Sequence, residues 1–271
     1  MALSALQRTT FLVALAGCST AAAPFLDSGT GNEPPPRPDA PPVDMPPPVD
    51  MPPPVDMPPP VDAPPGIYSH TVTIDGVDDF TAVEQFATTS NGFAARVTWD
   101  ATNIYIAYTG PDIAPTTSDA KTKWLFAYVD IDPGAATGAT ESQTYNTQKA
   151  KFPAGFGAEF YARWRCDATF HTLEKHAGGV NWTTTGAVPP ASQVGPYLEF
   201  AIPRVAIEST GTTIGLVTWM INEKPGVEGT FAGLFQGNFT NGYGPAMQLT
   251  KYLRIDLTSS NPPNDPGNVG P

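Results

Sequence analysis

Cysteine is nearly missing from this sequence: Cys18 and Cys166 are the only two in 271 residues. No disulfide framework can be built from them, so the fold must stand on its apolar core. Basic residues are also few, fourteen against twenty-six acidic ones, for a formal net charge of −12. The imbalance runs the whole length: seven acids face Arg8 and Arg37 up to residue 65, and nineteen face twelve bases beyond it. Neither part has the positive excess that nucleic acid or an anionic membrane surface attracts, which sets both aside as electrostatic partners. Apolar runs are short, and the one at 11–16 falls well under the ~20 residues of a membrane-spanning helix. Catalytic signatures are absent too, with no Gly-x-Ser-x-Gly, His-Glu-x-x-His or phosphate-cradling Gly-Lys-Ser/Thr. Of the three histidines, His171 and His176 lie five apart, on opposite faces of a strand, and His70 stands alone. The expectation is a protein that is not an enzyme.

Proline, by contrast, is plentiful, and it crowds into 34–65. There Val-Asp-Met and three prolines occur three times, from Val43, Val49 and Val55. Such a unit lacks the N–H groups of a helix or sheet and favours polyproline II at ~3.1 Å per residue. Residues 18–65 are therefore expected to form a disordered, extended spacer, on the order of 100 Å across its proline-rich part. Residues 1–17, with one charge at Arg8, a short apolar run and small residues, have the layout of a secretory signal. The tetrad Leu15-Ala16-Gly17-Cys18 resembles the lipobox of bacterial lipoproteins. That resemblance implies cleavage before Cys18, lipid on its sulfur and anchorage to a membrane of the cell envelope, with Ser19 compatible with the outer membrane. Acyl chains act by burial, at ~0.8 kcal/mol per methylene.

Residues 66–258 have a different texture, short runs of Val, Ile, Thr, Tyr, Phe and Trp broken by Gly, Pro, Asn and Asp. This is the punctuation of an all-β domain. Strands are expected at 70–74, 92–99, 104–108, 123–131, 158–166, 170–176, 179–183, 197–202, 214–222 and 252–257, with tight turns at 100–103 and 167–169 and one helical turn at 205–208. The run 124–129 is apolar on both faces and belongs in the middle of a sheet between two packed layers. An antiparallel β-sandwich follows, with 259–271 as a disordered tail. Thr73-Ile74-Asp75-Gly76 with Asp78-Asp79-Phe80, Val97-Thr98-Trp99-Asp100 running into Asn103-Ile104-Tyr105-Ile106-Ala107, the run 126–133, and Tyr197-Leu198-Glu199-Phe200-Ala201-Ile202-Pro203 resemble carbohydrate-binding module family 9 and DOMON-like domains. The resemblance implies a sandwich that binds without catalysis, sugar held between aromatic rings and calcium bound structurally. The DOMON likeness also raises haem held by Met and His, for which Met220, Met247 and the histidines are the candidates.

Sugar recognition needs a flat aromatic face with amides, carboxylates or guanidinium groups at its rim. Trp99, Trp124 and Trp219 sit in strands that read as buried, and Trp164 alternates with Cys166 towards the core, leaving Tyr161, Arg163 and Arg165 as a strip on the other face. By the same alternation Cys166 is a small buried hydrophobe rather than a nucleophile. The ligand-binding candidates are Tyr145, Asn146, Glu159, Arg163 and Trp182. Paired carboxylates Glu159 and Glu199 could cleave a glycoside only if a cleft held them about 5–9.5 Å apart. For a metal, Asp130, Asp132 and Glu141 fall at the first, third and twelfth positions of a calcium-loop frame, although Ala135 replaces the glycine an EF-hand requires. The functional expectation is a lipid-anchored envelope protein displaying a carbohydrate-binding sandwich; the alternative is a structural or adhesive surface protein that binds another protein.

Overall fold

The computed structural model describes residues 66–271 other than 112, 136, 225, 227–228 and 243–246. The signal, Cys18 and the proline-rich run lie outside the described residues. In chain order the strands are β1 (Gln85–Ala87), β2 (Ala94–Trp99), β3 (Asn103–Thr109), β4 (Lys123–Asp130), β5 (Ala150–Lys151), β6 (Phe160–Arg165), β7 (His171–His176) and β8 (Trp182–Thr184). They continue as β9 (Ala191–Val194), β10 (Tyr197–Pro203), β11 (Thr213–Asn222), β12 (Gly229–Phe231), β13 (Met247–Gln248), β14 (Tyr252–Asp256) and β15 (Val269–Gly270). One sheet runs β1-β2-β3-β10-β9, and the other runs β15-β14-β11-β4-β6-β7-β8 with β12 on β11. Every pairing in these two sheets is antiparallel, and only the small β13–β5 pair is parallel. The expected all-β antiparallel sandwich is what forms.

Alternation explains the main core. Ala95, Val97 and Trp99 of β2 and Leu125, Ala127 and Val129 of β4 point between the sheets, joined by Phe160, Ala162, Trp164 and Cys166. Cys166 is wholly buried, and that burial pushes its thiol up to about 12, so it acts as a small apolar group. The other face of β4 is equally apolar and also covered, as its sequence leads one to expect, and it is on neighbouring β6 that the structure departs from the expected polar strip. Tyr161 is fully buried, in a second core with Trp124, Phe126, Tyr128, Phe152, Phe156 and Trp219. Residues of the 131–159 connection, Phe152 and Phe156 among them, cover this face. Trp219, Tyr128 and Tyr161 stack as a ladder across β11, β4 and β6, with ring centroids 5.1 Å and 4.8 Å apart.

Two further expectations fail at the ends of the domain. Residues 70–74 form no strand, because Glu199 Oε1 accepts the N–H groups of Asp75 (2.7 Å) and Gly76 (2.6 Å) and turns the chain away. What remains is a strap, tied by Tyr68 N to Ser259 O (2.8 Å) and His70 N to Trp99 O (2.9 Å). Beneath it Glu84, fully buried, accepts hydrogen bonds from the Tyr68 hydroxyl and Thr81 N and meets His70 Nδ1 at 2.6 Å. The run 259–271 is not a loose tail either. Asp265 Oδ1 caps a 3₁₀ turn through Gly267 N, buried Asn268 bonds Pro262 O (2.9 Å), and β15 pairs with β14. Prolines exclude this segment from a sheet interior, yet an edge strand needs only the few N–H groups it has. The helical turn expected at 205–208 is present as Arg204–Ile207, ended by Glu208 in the left-handed region.

Candidate functional site

Trp182 opens β8 at a hairpin tip. Gly178 and Gly179 take φ of +93° and +61°, in the positive range that glycine adopts most readily, and the turn closes through Ala177 N to Asn181 O (2.8 Å). The turn lifts Val180 into solvent, 87% exposed, and sets Trp182 edge-on against Tyr161 (4.9 Å, 82°) and Tyr128 (5.6 Å, 79°). The half-buried indole therefore has a rigid aromatic footing and an accessible remainder. In front of it lies a cavity of ≈ 530 Å³ lined by residues 139–144, Lys149, Gly179, Val180 and Trp182.

The facing wall is tied to the same aromatic framework. Ala139 pairs with Ala158, Ser142 N donates to Ala150 O (2.8 Å), and Ser142 Oγ accepts from Ala150 N (2.8 Å). Gln143 N donates to the Tyr128 hydroxyl (3.1 Å), and the Tyr161 hydroxyl donates to Gln143 Oε1. The same two tyrosines thus brace the platform and the wall, and burial raises the pKa of both phenols, keeping them neutral. Glu141 pairs with Lys149, which brings its carboxyl down, and Lys151 Nζ lies 3.9 Å from it. Platform, hydroxyls, amide and charges together suit a polyhydroxylated ligand with one apolar face.

Trp182 is the one proposed ligand residue that lines this cavity. Tyr145 packs its ring on Trp124 (5.1 Å) and Phe126 (5.4 Å), and Arg163 lies over Tyr145, Trp124 and Phe170 while pairing with Glu174 (3.2 Å). These side chains serve the cover of the second core. Asn146 and Thr147, with φ of 45° and 64°, are the corner of a two-residue turn closed by reciprocal bonds between Tyr145 and Gln148 (2.8 and 2.9 Å). Asparagine is there for its tolerance of that backbone region, and β-branched Thr147 is strained in it. Glu141, Gln143 and Lys149 complete the cavity and were not among the expected sugar contacts. Glu199 is consumed within the first sheet, bound also by Tyr197 Oη (2.8 Å), and shares no cleft with Glu159. Met220 is fully buried in the core.

Glu159 instead joins Asp130 and Asp132. One oxygen from each carboxylate lies within 4.8 Å of the others. Asp130 is 1% exposed; burial, reinforced by the charges of Glu159 and Asp132, raises its carboxyl to about 7 against the N–H bonds from Gly157 (2.8 Å) and Asp132 (3.0 Å). Burial also raises Glu159, whose Oε2 accepts from Ile131 N (3.1 Å) while the buried Oε1 has no partner. Hard oxygens crowded this way fit a divalent cation. Glu141 lies outside this cluster, because the chain turns at Gly138 and carries its carboxylate to the lysines. A second cavity, ≈ 360 Å³, sits beside Tyr68, Trp99 and Arg204, where Arg204 is spent on the carbonyls of Ala101 and Gly211 (both 2.9 Å).

No family model matches the chain, and neither does any curated protein. Among solved structures it is similar to a carbohydrate binding module family 9 (CBM9) from Caldicellulosiruptor kristjanssonii in complex with glucose, at 14% identity and TM-score 0.38 over 68% of this chain and 94% of that one. The same description with cellotriose matches at 13% identity and TM-score 0.38, over 67% of this chain and 91% of that one.

Proposed function

We propose that the described domain is a non-catalytic carbohydrate-binding module whose ligand rests on Trp182. The observation that carries this reading is the ≈ 530 Å³ cavity with one partly exposed indole on one side and a hydroxyl- and amide-bearing wall on the other. A pyranose offers its C–H face to the ring and its hydroxyls to Gln143, Glu141 and Lys149. Trp182→Ala is expected to weaken binding at least tenfold, about 1.4 kcal/mol. A glycan array followed by calorimetry on the chosen ligand tests it, and an array with no signal sinks the reading.

A bound Ca²⁺ is a second part of the proposal, supported by the unpartnered oxygen of Glu159 beside two aspartates. Calcium is expected to raise the melting temperature, and Glu159→Gln to abolish that rise while Glu141→Gln preserves it. Display at the cell envelope through lipidated Cys18 rests on the tetrad at 15–18 alone. Labelled palmitate in the wild type and none in Cys18→Ser is the expected result.

A further inference from the structure

The charge around Trp182 differs from that of the domain as a whole. Acids outnumber bases nineteen to twelve beyond residue 65, yet Glu141 is the one carboxylate among the described residues lining the cavity. That carboxylate is shared by two ammonium groups, Lys149 and Lys151, whose side chains are 32% and 51% exposed and so reach solvent. His176, 5.1 Å from the Trp182 ring, is neutral or cationic and adds no negative charge. Asp130, Asp132 and Glu159 do not line the cavity. The lining residues carry one acid and one lysine, and Lys151 brings a second ammonium group 3.9 Å from Glu141, so the acidic excess of the domain is absent beside the aromatic platform.

Resting on the carbohydrate reading above, we infer that the cavity takes an acidic sugar: a uronate ring on Trp182 with its carboxylate at Lys149. A bound carboxylate divides the two lysines with Glu141, giving each acid its own ammonium partner. A neutral sugar leaves that pairing as it is and gains no ionic contact.

The test is calorimetry on the full chain with galacturonate, glucuronate and mannuronate trisaccharides and with their methyl esters, which have the same shape without charge. At least one acid is expected to bind about fivefold tighter than its ester at low salt, the effect of one solvent-facing ion pair, with the preference fading as salt rises. Lys149→Gln is expected to erase the preference and Glu141→Gln to enlarge it. Opposite movements in two variants at one ion pair cannot come from a shared folding defect. Equal binding of acids and esters, or binding of neutral glycans alone, overturns the inference and leaves the carbohydrate reading standing. Binding of no glycan at all overturns both.

Discussion

Asp100 Oδ1 accepts hydrogen bonds from Thr102 N (2.7 Å), Thr102 Oγ1 (2.8 Å) and Asn103 N (2.8 Å), and Oδ2 accepts from the hydroxyls of Tyr105 (2.6 Å) and Thr71 (2.9 Å). Burial alone would raise this carboxyl, but the bonds from Tyr105 and Thr102 outweigh it and bring the pKa to about 2. A carboxyl lowered on folding stabilises the protein fully above its unfolded pKa of about 3.9 and loses that contribution as pH falls towards the folded value. Asp100→Asn is therefore expected to cost about 1–2 kcal/mol in urea unfolding near neutral pH, shrinking towards zero at about pH 2. The sequence makes this turn readable because all of its parts lie within four residues. The carboxylate cluster is the opposite case. Asp130 and Asp132 are local, but Glu159 reaches them because β6 pairs with β4 from Val129 opposite Phe160. Spacing along the chain contains no sheet register, which is why it points to Glu141 as the neighbour of the two aspartates while the fold brings Glu159 there.

Single strands show the same division between local and non-local information. Strands with strong apolar alternation or long apolar runs, such as β2, β4, β10 and β11, stand out in the sequence. Gln85–Ala87 and Ala191–Val194 have little of it and exist as edges added to β2 and β10. Period-two reasoning assigns one face of β6 to the core and the other to water, and it cannot know that 131–159 folds back over the second face. Tyr161 is consequently buried in a covered layer, and Tyr145 and Arg163, two of the expected ligand residues, pack against that layer and do not line the Trp182 cavity. The C-terminal strand gives a test at this scale. Val269 and Gly270 extend the sheet beyond β14, and Gly270 leaves room for Tyr252, whose ring would lie 2.3 Å from an added Cβ. Truncation after residue 258 uncovers Tyr252 and Leu253 and should lower the melting temperature by about 5 °C, roughly 2 kcal/mol at this size. An unchanged melting curve would show that β15 contributes nothing.

At the scale of the domain, the two apolar layers differ in how they are enclosed. The inner core lies between two sheets, whereas the outer aromatic layer is roofed largely by loop and the two-residue strands β5 and β13. Local opening of that roof costs less than global unfolding, since few ladder bonds hold it. Amides of 139–152 are expected to exchange faster than those of β4 in the free protein, and to slow when the Trp182 cavity is filled, because the wall and the roof are one segment. Hydrogen exchange with and without ligand measures both; equal protection of roof and strand in the free protein would remove the distinction. The strap over Glu84 has a further consequence, and it is mechanical. A pull arriving from the N-terminal side of Gly66 enters no sheet strand; it first meets the two backbone bonds of Tyr68 and His70 and the contacts to Glu84. Those bonds, with Thr71 on Asp100, the amides of Asp75 and Gly76 on Glu199 and the Arg96–Asp78 pair, take the load before the ladders of β2 and β3. Release of residues 66–80 would free about 50 Å of chain at ~3.3 Å per residue, so the strap acts as a fuse that gives slack under tension while the Trp182 cavity, at β8, stays folded.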